Sequence, residues 1–461
     1  MAEETARIAG YVAAVSFAGL PPAVVRRATA LALDFLGSAV RARAEAESTP
    51  AVLAAMAALG LAGPGEATVM GDARRYPAAA AALLNGTLGH SLDFDDTHAA
   101  SSLHPSAPVV PAALAAAEMT GAAGADVVAA IVAGYEVCCR LGLALDPTAH
   151  YARGFHPTAT AGTFGAAAAA GKLLGLDAER LVAAFGIAAS QAAGSLQFLE
   201  NGAWNKRFQV GAAAMNGLIA ATLAREGFRG AAAAIEGQHG FLRGYSDGAD
   251  PDRAVAGLGV DYETLKIGVK PYPCCRYAHA ALDGLLALRR EHALSADAVE
   301  RVEIGLHRNG IVLTADPPDL KRHPRNVVEG QFSMFFTAAV ALDRGAFGWD
   351  DYARLGDPAI GRLAERVTVA EDPALAGRHH PFGAHVRIVT KADTFERLVP
   401  DPSGEPGSFP DDDAIRAKFL TLAEPVLGAG AARFASAFLD LDAAPALGDV
   451  LALARPQAAP A

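Results

Sequence analysis

Ala78–Leu92 reads AAAAALLNGTLGHSL and runs directly into Asp93-Phe-Asp-Asp-Thr97. Apolar residues lie on every side of this segment, not along one stripe. That pattern belongs to a helix surrounded by other helices inside a large bundle. The same texture continues outward in both directions. Segments rich in Ala, Leu and Val, punctuated by Gly or Pro, occupy Val24–Val40, Pro108–Met119, Ala125–Leu141, Thr160–Leu174, Ala178–Ala193 and about Phe208–Glu226. From Pro22 to about Gly240 the chain therefore reads as helical.

The texture changes after about Tyr262. Val302, Ile304 and Leu306 alternate with Glu303, Gly305 and His307, the period of a half-buried strand. Val367 and Val369 repeat it, as do Val386, Ile388 and Thr390, with helices expected at Ala278–Glu291 and Phe332–Asp343. This is the pattern of a smaller α+β domain. Pro400–Gly407 is a loop by composition, after which Asp411–Leu427 and Ala431–Leu441 turn helical again. The expected division is 1–265 helical, 266–399 α+β, and 400–461 a return to the helical domain. The tail from Arg455 to Ala461 is expected to be disordered. No internal repeat is visible.

Composition bounds the function. A chain of 461 residues is too long for one ordinary core, and 52% hydrophobic with 19% charged residues describes a well-buried globular protein. A net charge of -11 argues against nucleic acid as a partner. An anionic substrate must then be met by a local positive site. Met1–Ala9 carries Glu3, Glu4 and Arg7 and lacks a signal-peptide pattern. Alanine-rich stretches such as Ala166–Ala170 are short, and none reads as a membrane span of about 20 residues. A soluble, cytoplasmic protein with no membrane partner is the expectation. The four cysteines form two adjacent pairs, Cys138-Cys139 and Cys274-Cys275, with no C-x-x-C spacing. Reduced thiols and no zinc or iron–sulfur site are expected.

Four constellations carry titratable groups. In the first, His90, Asp93, Asp95, Asp96, His98 and His104 follow the apolar helix. A solvated acidic loop explains them equally, and the aspartates are also oxygen ligands for a metal. The Asp95-Asp96 run, however, continues as Thr97-His98-Ala99 and lacks the third aspartate of the terpene-synthase magnesium motif. In the second, Gly154-Phe-His-Pro-Thr158, the proline places His156 just before a helix N-terminus, where exposed amides favour anions. A capping histidine is the plainer reading. In the third, Asn205-Lys-Arg-Phe-Gln-Val-Gly211, two cations open an apolar helix, an arrangement that a bound anion resolves and that surface cations also explain. In the fourth, Lys270-Pro-Tyr-Pro-Cys-Cys-Arg-Tyr-Ala-His279, two prolines stiffen the backbone from which Lys270, Arg276 and His279 project, where the texture changes. A rigid linker explains it as well.

Taken in order and spacing, the Gly-His-Ser-x-Asp-Phe-Asp-Asp-Thr run, His104-Pro-Ser, Gly-Phe-His-Pro-Thr, Lys-Arg-Phe-x-x-Gly and Lys-Pro-Tyr-Pro-Cys-Cys-Arg are similar to the MmgE/PrpD signature. The resemblance spans roughly Ala28 to Leu422. It implies a mainly α fold: a large all-helical domain built from both chain ends, a smaller α+β lid domain, and a homodimer. It places the active site on Asp93, Thr97, His104, His156, Lys206 and Lys270. Arg207, Arg276 and His279, from the cation-bearing segments, join Thr97 as expected substrate-binding residues. The family includes 2-methylcitrate dehydratase, cis-aconitate decarboxylase and iminodisuccinate epimerase. Against the decarboxylase branch, the loop from Thr97 to His104 is one residue longer, and Phe335 stands where that branch has a tyrosine.

The chemistry implied needs no metal and no cofactor. Removing a proton next to a carboxylate builds charge that Lys206 and Lys270 are suited to offset. His104 and His156 are the natural acid and base. Asp93 is suited to hold a histidine or lysine in place. The leading expectation is a hydro-lyase of a 2-methylcitrate-like hydroxy acid. Epimerisation or decarboxylation of a small di- or tricarboxylate follows, and then a non-catalytic polycarboxylate-binding protein.

Overall fold

The apolar segments fold as helices, and their interruptions set the helix ends. The computed structural model describes residues 3–375 and 382–456. The first long helices are α1 (Pro22–Glu45), α2 (Ala78–Gly89), α3 (Ser106–Thr120), α4 (Gly124–Ala144), α5 (Pro157–Leu173), α6 (Ala178–Ala189) and α7 (Asn205–Arg225). Proline at the first position of α1 and α5 fits a site whose N–H has no intrahelical partner. α7 packs on α5 and α2. Glycine makes the second crossing possible: a Cβ on Gly211 would lie 2.2 Å from Thr87 Oγ1, and one on Gly86 would lie 2.7 Å from the Gly211 Cα. This close crossing brings the end of α2 beside the beginning of α7.

α4 differs from the sequence expectation. It is long and apolar enough to cross a membrane, yet its apolar window is almost wholly buried. Its Glu136 accepts hydrogen bonds from the Glu263 and Thr264 amides and pairs with Arg140 at 3.1 Å. A core helix surrounded by other helices meets the same length and composition test as a span.

The second unit is α+β and comprises Lys270–Phe409 with Leu92–Phe94. Its helices include α8 (His279–Glu291) and α9 (Met334–Arg344). Its strands are β1 (Val299–Leu306), β2 (Val367–Glu371), β3 (Ala384–Thr390) and β4 (Thr394–Val399), in the order β2-β1-β3-β4. β1 and β2 are parallel, and the other pairs are antiparallel. Val302, Ile304 and Leu306 are buried on one face, as their alternation predicts, together with Val386 and Ile388. Gln331 Nε2 donates to the Leu92 carbonyl at 2.8 Å, which holds the short Leu92–Phe94 segment in this unit.

The chain then returns to the helical unit through α10 (Asp412–Leu427) and α11 (Gly430–Leu439). α10 packs on α1, where Phe419 meets Gly37, and Lys418 Nζ reaches the fully buried Asp34 at 2.7 Å. The return begins at Pro410, not at residue 400. Residues 400–409 stay with the α+β unit because Ser403 donates twice to Asp283 and Glu405 pairs with Arg276. Of the tail expected to be disordered, residues 457–461 lie outside the described residues.

Candidate active site

The helical unit gathers three imidazoles. α2 ends at Gly89, so His90 falls in the turn that follows. Its Nδ1 lies 2.6 Å from Asp95 Oδ2, and both side chains are fully buried. The His90 ring centroid is 5.0 Å from that of His104 and 6.2 Å from that of His156.

His104 is held from its Nδ1 side. That nitrogen lies 2.6 Å from the Asp96 carbonyl, with Thr97 Oγ1 at 3.3 Å. A carbonyl only accepts, so Nδ1 carries the proton and donates it. The His104 amide donates to Thr158 Oγ1 at 3.2 Å, which ties the loop to the start of α5. Thr97 sits in a two-residue antiparallel pairing of Thr97–His98 with Ile267–Gly268.

Asp96 and His98 serve this loop rather than the imidazole cluster. Asp96 accepts from the Ser106 amide at 3.2 Å and the Ser106 hydroxyl at 2.7 Å, which caps the entry to α3. Burial pushes its carboxyl well above the usual carboxylate range, and Asp95 and Asp34 push it further. His98 uses both ring nitrogens, on Ser101 Oγ at 2.6 Å and Glu263 Oε2 at 3.0 Å. Burial alone would raise the Glu263 carboxyl, but hydrogen bonds from His98 and Lys266 hold it at about 2.

His156 stands immediately before α5, and its amide donates to the Gly194 carbonyl at 3.0 Å. Its ring is buried, with Nδ1 3.1 Å from Gln209 Oε1. Burial drives this imidazole well below the ordinary histidine range, and the nearby His90, Lys206 and His104 drive it lower. It is therefore neutral at neutral pH, as a proton acceptor must be. Lys206, half-buried at the start of α7, is one turn from Gln209. Arg207 is buried, and its Nη1 donates to Ser48 Oγ at 3.3 Å.

The α+β unit holds the other expected residues. Lys270 Nζ lies 2.9 Å from the Asp93 carbonyl and 3.2 Å from Asp93 Oδ2, with both side chains buried. Asp93 adopts φ 52, a left-handed conformation that short polar side chains tolerate best. Arg276 and His279, expected to bind substrate, are engaged with groups of their own unit. Arg276 donates through Nε to Glu405 at 3.1 Å and through Nη1 to His279 Nδ1 at 3.1 Å. His279 Nε2 then donates to the Cys274 carbonyl at 3.1 Å. Both ring nitrogens of a fully buried histidine are thus consumed. Burial and the Arg276 and Lys270 charges keep that imidazole well below its usual range.

Phe335 is buried on α9 under the Arg322 guanidinium, 4.5 Å from its ring centroid. The adjacent Phe336 is also buried, and as phenylalanines neither residue carries a hydroxyl. Sequence reasoning did not single out His90 with Asp95, nor Gln209. For the first pair, His90 has Asp93, Asp95 and Asp96 all within six residues, and spacing alone does not choose among them. Gln209 was signalled by its position three residues beyond Lys206. Among the described residues, no group of three or more His, Cys, Asp and Glu side chains is arranged to hold a metal ion.

The MmgE/PrpD N-terminal domain matches residues 6–254, and the MmgE/PrpD C-terminal domain matches residues 272–443. The cis-aconitate decarboxylase of Aspergillus terreus is 30% identical over 446 residues, covering 92% of this chain and 89% of that protein. The cis-aconitate decarboxylase-like protein oryM of Aspergillus oryzae is 30% identical over 410 residues, covering 84% and 85%. Human cis-aconitate decarboxylase is 32% identical over 241 residues, about half of each chain.

Proposed function

The chain belongs to the MmgE/PrpD family, and from that premise we propose that it is a lyase acting on a small polycarboxylate by proton transfer at a carbon next to a carboxylate. The observation that carries this reading is the cluster of His90, His104 and His156, each held through Nδ1 by a different acceptor, with Lys206 close enough to depress the basicity of His156.

The proposed reaction is dehydration of a 2-methylcitrate-like hydroxy acid. Such an elimination needs a base for the carbon-bound proton and an acid for the departing hydroxyl. His156, neutral at neutral pH, takes the proton. His104 keeps its Nδ1–H on the Asp96 carbonyl and, as the imidazolium, delivers its second proton from Nε2 to the hydroxyl, which leaves as water while the carbon–carbon double bond forms. Lys206 binds a substrate carboxylate and offsets the charge that grows beside it. Within the α+β unit, Lys270 is a second cation suited to a carboxylate, with Asp93 as its positioning partner.

A second reading is decarboxylation of cis-aconitate, favoured by the names of the relatives. Phe335 and Phe336, both without a hydroxyl, weigh against it. We also propose a homodimer. The start and outer face of α7 expose Trp204, Phe208 and Leu223, more apolar surface than a lone helix face usually shows water.

Incubating the protein with citrate, 2-methylcitrate, cis-aconitate and small amino- and hydroxy-dicarboxylates, followed by NMR, separates the readings. Formation of an unsaturated acid from a hydroxy acid supports dehydration. Carbon dioxide release from cis-aconitate supports the second reading instead, and inversion without loss of mass makes the protein an epimerase.

A further inference from the structure

Gln209 lies on α7 between Ser195 and His156, and its two amide ends meet groups of fixed polarity. Its Nε2 is 2.8 Å from the Ser195 carbonyl oxygen. A carbonyl only accepts, so the amide nitrogen must face Ser195. The amide oxygen then faces His156 Nδ1, at 3.1 Å. That oxygen only accepts as well, so the Nδ1 of His156 must be the nitrogen carrying hydrogen. A neutral imidazole has one N–H, which leaves the lone pair on Nε2.

We propose that Gln209 is a positioning residue that fixes His156 in its Nδ1–H tautomer, so that Nε2 is the nitrogen that accepts the substrate proton. This rests on the lyase reading above and deepens it by naming the atom and the group that selects it.

The backbone around the pair is built to bring the Ser195 carbonyl within reach. Phe155 and Ser195 form an antiparallel bridge, flanked by bonds from the His156 amide to the Gly194 carbonyl at 3.0 Å and from the Leu196 amide to the Gly154 carbonyl at 2.9 Å. Gly194 has φ 156, and a Cβ there would lie 2.8 Å from the Ala159 Cβ and 3.2 Å from Gln209 Oε1. Any larger residue would press on the amide that orients the ring. The remaining groups facing His156 come from three places: His90 after α2, His104 before α3, and Lys206 on α7. The Phe198 ring meets the imidazole edge-on, 5.8 Å between centroids. Each of the charged neighbours disfavours a second proton on His156, and none of them selects which nitrogen keeps the first. Gln209 supplies that selection.

The test uses the full chain with nitrogen-15-labelled histidine and three variants: Gln209→Leu, Gln209→Glu, and His156→Asn to assign the His156 signals. Long-range nitrogen–proton NMR without substrate is expected to show the Nδ1–H form in the wild type. Gln209→Leu should lose that preference, and its kcat should fall about 10–100-fold with KM little changed, the scale for removing a partner that orients a functional imidazole. Gln209→Glu restores an acceptor at the same place. It should recover the Nδ1–H form and move the acid limb of the kcat profile to higher pH, because a carboxylate favours the charged ring. A tautomer that is Nε2–H in the wild type, or unchanged in Gln209→Leu, overturns the proposal. The tautomer is read without substrate, so failure of every acid to react would defeat the lyase reading while leaving this result to stand or fall separately.

Discussion

Replacing His156 with asparagine should lower turnover by about 10²–10⁴-fold while leaving binding and folding nearly intact. Asparagine keeps an N–H that can donate to Gln209 Oε1, so the hydrogen bond now 3.1 Å long need not be lost. If it is lost, the cost is about 1 kcal/mol, which in a domain of this size moves Tm by at most about 2–4 °C. What asparagine cannot do is accept the substrate proton. The imidazole is held neutral by burial and by His90, Lys206 and His104, so at pH 7 essentially every wild-type molecule carries a competent base. A positioned general base contributes about 10²–10⁴-fold, or about 2.7–5.4 kcal/mol at 1.36 kcal/mol per decade. Turnover of the acid identified by NMR, measured with thermal melting, separates this from a capping role. A kcat within threefold of wild type, together with a Tm several degrees lower, would refute the assignment of His156 as the base.

Three further outcomes follow from the same geometry. Lys206→Met should raise KM about 10–100-fold, the scale of one charge-assisted hydrogen bond to a carboxylate. Because the Lys206 charge depresses His156, the acid limb of kcat in this variant should also move to higher pH, and an unmoved limb in a pH–rate profile would argue against their proximity. Stability should fall as pH drops below about 6.5, because His279 is depressed when folded and the unfolded chain takes the proton first. The difference in Tm between pH 7.5 and pH 5 should therefore shrink in His279→Asn, and an undiminished difference would count against the buried neutral ring. Glu405→Gln should destabilise the protein by about 3 kcal/mol in a denaturant titration, since it strands the buried Arg276. Its KM should stay unchanged, and a large KM rise without loss of stability would return Arg276 to the substrate.

The helices were legible because burial on all faces leaves an unmistakable composition. The strands β1, β2 and β3 were legible because one buried face imposes alternation. β4 was not: its Thr394, Glu396 and Leu398 are exposed and its Phe395, Arg397 and Val399 only half-buried, so neither face is apolar enough to mark the period. The boundary at Pro410 was hidden for a different reason. Residues 400–409 have a loop composition, and their attachment depends on two distant partners, Asp283 and Arg276. In the site, motif spacing pointed to the right segments but not to the division of labour within them. His98, His104 and His90 sit in one run, yet one imidazole meets Glu263, one a carbonyl and one a buried carboxylate. Likewise Arg276 and His279 looked like a cationic cluster, whereas the fold turns each toward the other. Sequence shows which groups are available, and only tertiary partners decide which of them remain for a ligand.

The account turns on proton transfer at a carbon beside a carboxylate. The most direct measurement is mass spectrometry of the acid formed from an unsaturated polycarboxylate in deuterium oxide with a chelator present, using wild type and His156→Asn side by side, because hydration, the reverse of the proposed elimination, places the solvent deuteron on carbon. The account predicts deuterium gained at one carbon-bound position with wild type only, unaffected by the chelator. Product formation with no deuterium at carbon, equal incorporation by both proteins, or activity lost to the chelator and restored by a divalent ion would contradict it.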